Sequence, residues 1–184
     1  AAYWENRYGS DGNSGAGSYG RLADFKAEVL NDFVAQHRIS SVIEFGSGDG
    51  NQLSIAKYPN YIGVDVSETA VLASRQKFAE DTSKTFVTLP DYSGQKADLA
   101  LSLDVIYHLV EDAVFEDHLQ RLFAGATRYA IIYSSNTDQQ APVQGAHVRH
   151  RTFTDWVERK IKGWRLKEHI PNRFPYTGDD RTSS

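Results

Sequence analysis

Cysteine and methionine are absent from this 184-residue chain, and no apolar run approaches the roughly 20 residues that a membrane-spanning helix needs. Without cysteine there is no disulfide framework, no thiol nucleophile and no thiolate metal site. A reducing compartment fits, and the expected location is the cytoplasm, with no membrane span. No charged segment followed by an apolar one opens the chain as a secretory signal would. The first residue is Ala rather than Met, so the N-terminus is expected to be trimmed. Positive charge is not in excess either. The net charge is −4, whereas proteins that hold nucleic acid through bulk charge are more often basic. No nucleic-acid partner is expected.

What is present is the composition of a folded domain, with 40% hydrophobic and 12% aromatic residues. The length suits one core and is short for two. No internal repeat or linker divides it. Residues 9–20, "GSDGNSGAGSYG", are too rich in glycine for helix or strand and read as a mobile or ligand-shaped loop. Leu22, Phe25, Val29, Leu30 and Phe33 then recur at helical spacing, which predicts a helix over 19–37.

Beyond it, "SVIEF", "YIGVD", "TFVTL", "ADLALSLD" and "YAIIYS" read as five short strands. "NQLSIAKY" reads as a short helix stopped by Pro59, and Ser67 as the cap of a helix over 68–80. "EDAVFEDHLQRLFA" is a helix with Val114, Phe115, Leu119, Leu122 and Phe123 turned inward, and another helix falls near 154–161. "WRLKEHI" alternates like a strand with one solvated face. Strands alternating with helices predict an α/β domain, a Rossmann-like and mainly parallel sheet covered on both faces.

In such sheets ligands lie beyond the carboxyl ends of strands, at the point where strand order reverses. "VIEFGSGDGNQL", residues 42–53, occupies such an end. Its pattern is acid-x-Gly-x-Gly-x-Gly, and Asn51 stands where the dinucleotide fingerprint requires its last glycine. A pyrophosphate prefers bare amides at a helix N-terminus to a carboxylate two residues before the first glycine. Glu44 instead suits a ligand with positive charge. Asp65, ending the second strand, can accept both hydroxyls of a ribose. Gly46, Gly48 and Gly50 also fit a tight turn that binds nothing.

"VIEFGSGDG", "YIGVDVS" and "LALSLDVIYHLV" resemble three signature segments of the Rossmann-like, class I S-adenosylmethionine (SAM)-dependent methyltransferases, over about residues 39–135. SAM carries an ammonium and a sulfonium, which agrees with the acid at residue 44. The resemblance implies that Glu44, Gly46 and Gly48 line the methionine side and that Asp65 holds the ribose. Asp91 or Tyr92 would lie near the adenine, and Asp104 near the cofactor and the reaction centre. The opening "YWENRYG" resembles the lid helix of small bacterial members, in which aromatic and Arg residues such as Tyr8 and Arg7 close over the cofactor. The expected layout is a lid over 1–20, a cofactor-binding core over 39–135 and an acceptor-side segment over 136–184. The family sheet ends in two further strands, the last antiparallel. "PYTGDDRTSS" does not read as one, so that strand is either beyond residue 184 or missing.

Methyl transfer to a hydroxyl or amine needs a group to take the proton. His108 follows Asp104 by four residues and is the first candidate base, with His147 or His150 second. Asp104 also fits a helix cap, and His108 a packed or solvated ring. "HVRHR" places His147, Arg149 and Arg151 after the fifth strand, as a clamp for an anionic or sugar-linked acceptor or as a solvated loop. Asn136 and Asp138 could join Asp104 around a divalent metal, but no tight spacing supports that, and no metal is expected. Trp156 and Trp164 read as core. The expected activity is methyl transfer from SAM to an O or N nucleophile of a small-molecule or carbohydrate acceptor. Two rivals are a SAM-binding or interaction domain without catalysis and a nicotinamide-dependent oxidoreductase.

Overall fold

A computed structural model of the chain describes residues 2–10, 12–140 and 145–175. Helix α1 spans Ala2–Gly9 and α2 spans Gly20–Gln36. Strand β1 (Val42–Phe45) leads through the glycine turn and a four-residue 3-10 helix, Gln52–Ile55, into β2 (Tyr61–Asp65). Then come α3 (Glu68–Lys77), β3 (Lys84–Thr88) and β4 (Ala97–Leu103). Helix α4 (Asp112–Gly125), β5 (Ala126–Tyr133) and α5 (Phe153–Lys160) complete the α-helices and strands of the described residues.

The five strands lie in the order β3-β2-β1-β4-β5, and every pair is parallel. The chain winds outward from β1 to β3, then returns to lay β4 on the other side of β1. The reversal therefore falls between the carboxyl ends of β1 and β4.

Period-2 alternation sends side chains to two cores. Val42, Leu99 and Leu101 face a cluster closed by Leu30 and Val34 of α2. Ile43, Phe45 and Ala100 face a second cluster closed by Phe115, Leu119 and Leu122 of α4 and by Trp156 of α5. A sheet buried on both faces is what short, nearly continuous apolar strands require. The same alternation turns Glu44 to the α2 side, where it is buried.

Ser67 caps α3 as expected, its hydroxyl accepting from the Ala70 amide at 3.2 Å. Four expectations change. "NQLSIAKY" yields only the 3-10 turn, because the backbone becomes extended at Ala56. Val114 is 48% exposed rather than inward, since the core stripe of α4 runs through Phe115, Leu119 and Leu122. β5 starts at Ala126, three residues before "YAIIYS". "WRLKEHI" forms no strand: no ladder receives it, and Leu166 and Ile170 are 69% and 47% exposed. Trp164 does pack, edge-on against Phe123 at 5.1 Å. Apart from Pro175, "PYTGDDRTSS" lies outside the described residues.

Candidate functional site

A cavity of about 130 Å³ opens at the strand reversal, and the three acids Glu44, Asp65 and Asp104 at the ends of β1, β2 and β4 all line it. Gly46 and Gly48 form its floor, while Trp4 and Tyr8 of α1 line its outer side. An apolar cavity of roughly 150 Å³ holds a benzene ring. The space is thus smaller than a nucleoside.

The floor is shaped by backbone conformation. Gly46 and Gly48 have φ of 89° and 59°, a region that L side chains rarely adopt. A Cβ on Gly46 would strike Val105, and one on Gly48 would strike Ser14. Asp65 fixes the turn from below, its carboxylate accepting from the amides of Gly48 at 2.8 Å and Ser67 at 2.9 Å. Burial pushes the Asp65 carboxyl up, against the pull of those amides. Glu44 accepts from the Tyr61 hydroxyl at 2.6 Å. Burial raises its pKa to about 7, and that hydrogen bond and the charge of Lys26 oppose the rise.

Asp104 ends β4 with φ of 58°, an uncommon conformation for a residue with a side chain. Its carboxylate accepts from Lys26 Nζ at 2.6 Å and from the Tyr107 hydroxyl at 3.1 Å. Lys26 comes from the inner face of α2, between Leu22 and Leu30 on the same stripe, and is only 3% exposed. Sequence reasoning missed it. The signal was there: a lysine in register with the apolar positions of a helix.

Also missed were the residues that bind the N-terminal loop to the turn. Asp49 accepts from the Ser14 amide at 2.9 Å, the Tyr19 hydroxyl at 2.8 Å and the Asn51 amide at 3.0 Å. Burial alone would raise the Asp49 carboxyl, but these bonds outweigh it and hold the carboxyl below its ordinary range. Asn51 donates from Nδ2 to the Ser18 carbonyl at 2.7 Å, a use for the position at which a dinucleotide fingerprint has glycine. Glu5 of α1 accepts from the hydroxyls of Ser67 at 2.6 Å and Thr69 at 2.5 Å, at the favourable N-terminus of α3.

His108 lines the cavity, and its Nδ1 lies 3.2 Å from the His147 carbonyl. A carbonyl only accepts, so Nδ1 carries the proton, and in the neutral ring Nε2 carries the lone pair. Burial lowers the His108 pKa to about 4, which keeps the ring neutral. Trp4 meets it edge-on at 5.0 Å, and His147 stacks between His108 (5.4 Å) and Tyr3 (4.5 Å). His118, unforeseen, also lines the cavity, with Nε2 2.8 Å from Ser102 Oγ, and burial lowers its pKa to about 4.

Several foreseen residues are directed elsewhere. Asp91 accepts from the Thr88 hydroxyl at 2.6 Å at the exposed tip of β3, and neither it nor Tyr92 lines the cavity. Arg149 and Arg151 both reach Asp112, at 2.9 and 3.0 Å, and donate to the Val110 carbonyl. Their charges are already paired, so the clamp expected of "HVRHR" has no counterpart in their contacts. His150 bonds Ser135 at 2.6 Å. Asn136 bonds Thr154, and Asp138 bonds Thr152, at the start of α5 rather than beside Asp104. Among the described residues, no three His, Asp or Glu side chains are grouped to hold a metal. No described helix is long and apolar enough to cross a membrane.

No family model matches the chain, and no curated protein matches its sequence. Solved structures do match. One is magnesium protoporphyrin IX methyltransferase from Synechocystis PCC 6803 with bound S-adenosylhomocysteine, at a TM-score of 0.57 and 19% identity over 75% of this chain and 71% of that one. An O-methyltransferase family protein from Burkholderia thailandensis gives 0.58 and 15%, over 74% and 48%. A sugar N-methyltransferase from Streptoalloteichus gives 0.54 and 18%, over 70% and 58%. The chain spans 31% to 71% of the length of the solved structures compared with it. The architecture is thus a Rossmann-like α/β fold. Within that class, it is the fold of the class I SAM-dependent methyltransferases.

Proposed function

We propose that the protein is a SAM-dependent methyltransferase acting on an oxygen or nitrogen nucleophile of a small acceptor. The observation that carries this reading is the meeting of Glu44, Asp65 and Asp104 around one cavity above a positive-φ glycine turn. SAM fits the donor set: Asp65 retains lone pairs for ribose hydroxyls, and the acids suit a ligand with two positive centres. The neighbours solved with SAM or S-adenosylhomocysteine agree with that ligand.

SAM would supply a methyl group already activated by its sulfonium. The chain's own part is alignment, exclusion of water and removal of a proton. Trp4 and Tyr8 cover the cavity, and His108, neutral with its lone pair on Nε2, is placed to accept the acceptor's proton. Because Arg149 and Arg151 are held by Asp112, nothing in this reading asks the acceptor to be anionic. A nicotinamide dinucleotide is disfavoured. Only a four-residue 3-10 helix follows the turn, which offers a pyrophosphate little of a helix N-terminus.

Calorimetry with SAM, S-adenosylhomocysteine and NAD tests the ligand. Binding of the first two and not the third is expected, and the reverse would overturn the reading. A turnover assay over hydroxyl and amine acceptors, with His108→Ala beside the wild type, separates an enzyme from a binding domain.

A further inference from the structure

The two arginines of "HVRHR" have no part in the methyltransferase reading, yet both are committed to one short loop. Residues 105–111 carry His108 from β4 to α4, and their only regular turn is the 3-10 helix Ile106–His108. A turn of three residues leaves later carbonyls without helical partners, and such groups must be bonded elsewhere when water is kept from them. Residues 145–151 supply the donors. The Arg149 amide donates to the Tyr107 carbonyl at 2.7 Å, and its side chain to Val110 at 3.0 Å. The Arg151 guanidinium spans two successive carbonyls, Leu109 at 2.8 Å and Val110 at 2.6 Å, and lies over the Phe115 ring at 4.5 Å. In return, the His147 carbonyl faces His108 Nδ1.

The ion pair with Asp112 does not account for this arrangement. The Asp112 side chain is 65% exposed, and a pair so open to water contributes little. The Arg151 side chain is only 12% exposed, and its planar fork of donors matches two neighbouring carbonyls as the single ammonium of a lysine does not. What the fork fixes is the loop that carries the base. Building on the methyltransferase reading, in which His108 takes the acceptor's proton, we propose that Arg151 is a positioning residue. By holding Leu109 and Val110 it keeps His108 with Nδ1 on the His147 carbonyl and the lone pair on Nε2.

Nitrogen-15 NMR of the histidine rings tests this without an acceptor. In wild-type protein near pH 7 the His108 signals, identified by their loss in His108→Ala, should show Nδ1 alone protonated. Arg151→Met removes the fork, whereas Arg151→Lys keeps the charge and a stem over Phe115 and so guards against a variant that fails to fold. In both, the form protonated on Nε2 should appear, and the His108 pKa should rise from about 4 by about one unit or more as water reaches the ring. The charged and titratable groups around that ring are Arg7 of α1, Asp104 and Tyr107 of its own loop, and His147, and every Arg151 variant keeps them. Asp112→Asn, which removes the exposed carboxylate alone, should change neither reading. An unaltered tautomer and pKa in Arg151→Lys, or an equal change in Asp112→Asn, overturns the assignment. Calorimetry with S-adenosylhomocysteine should give Arg151→Lys an affinity within about threefold of the wild type, and a larger loss would move Arg151 to the cofactor side and overturn it as well. Wild-type protein that binds no S-adenosylhomocysteine overturns the methyltransferase reading, while the spectra still decide the placement of the ring.

Discussion

Residues 46–50 and residues 12–20 are both rich in glycine, and both border the cavity, but they use the residue differently. In the first stretch Gly46, Gly48 and Gly50 all take positive φ, and a Cβ on any of them would also collide with a neighbour. In the second the two reasons separate. Gly15 and Gly20 turn through φ of 87° and 52° with room around them, whereas Gly12 and Gly17 are pressed against Arg7 and Asp104. The turn is specified by its own backbone. The loop is specified by what it lies on, through Asp49 and Asn51, so its order depends on side chains that the backbone course of the turn does not need.

The sharpest test pits one glycine of each stretch against the other. Gly46→Ala combines backbone strain with a collision against Val105 and should cost about 3 kcal/mol or more, against about 1 kcal/mol for strain alone in Gly15→Ala. Urea denaturation measures both, and equal costs would erase the distinction.

Acid probes the two sides next. His118 lies against Phe45, just before the turn, and His108 against Trp4 of α1. Each has its pKa lowered from 6.5 to about 4. Between those values the unfolded chain binds the proton and the folded one does not. Stability is therefore complete above about pH 6.5 and declines towards pH 4, by on the order of 2–3 kcal/mol for each ring. Glu44, raised from 4.5 to about 7, works in the opposite sense over nearly the same window and cancels about one ring. The expected net result is a loss of about 2–3 kcal/mol on acidification, which His108→Ala should largely remove. A pH-independent melting temperature would contradict it.

Asp49→Ala acts chiefly on the loop, with one bond to the Asn51 amide lost beside the turn. It takes away the acceptor of the Ser14 amide and the Tyr19 hydroxyl, and hydrogen exchange over residues 12–19 should quicken by about 10-fold or more, roughly 1–2 kcal/mol. Protection in β1 and β2 should hold. The smallest effect is expected from Gly9→Ala, where a Cβ meets nothing within 4 Å and φ is not positive. It should stabilise α1 by about 0.5 kcal/mol, visible as a slight rise in melting temperature.

The sheet, its strand ends and the acids on them were legible because each is written locally: an apolar run, a terminal acid, a glycine. What failed were features that depend on a partner far along the chain. "WRLKEHI" alternates, but alternation makes a strand only where a neighbouring ladder accepts it. Arg149 and Arg151 look free until Asp112, on another element, is brought beside them. Asp91 follows β3 closely, yet Thr88 three residues earlier donates to its carboxylate. Lys26 was readable in principle, since a charge on the apolar stripe of α2 must find a counter-charge, but not that the counter-charge would be Asp104.

The position of β1 in the sheet also governs when the site can exist during synthesis. β1 pairs with β2 from Val42 to Tyr61, soon after it is made, but its other ladder waits for Leu99 on β4. At about 5–20 residues per second, that interval lasts roughly 3–12 s on the ribosome, during which one edge of β1 is unpaired. Val105, against which Gly46 packs, and Asp104 emerge only after it. The glycine turn can thus take its final shape only once the strand that closes the reversal has followed it out, and a pause in translation between residues 65 and 99 would lengthen the life of an exposed, adhesive edge.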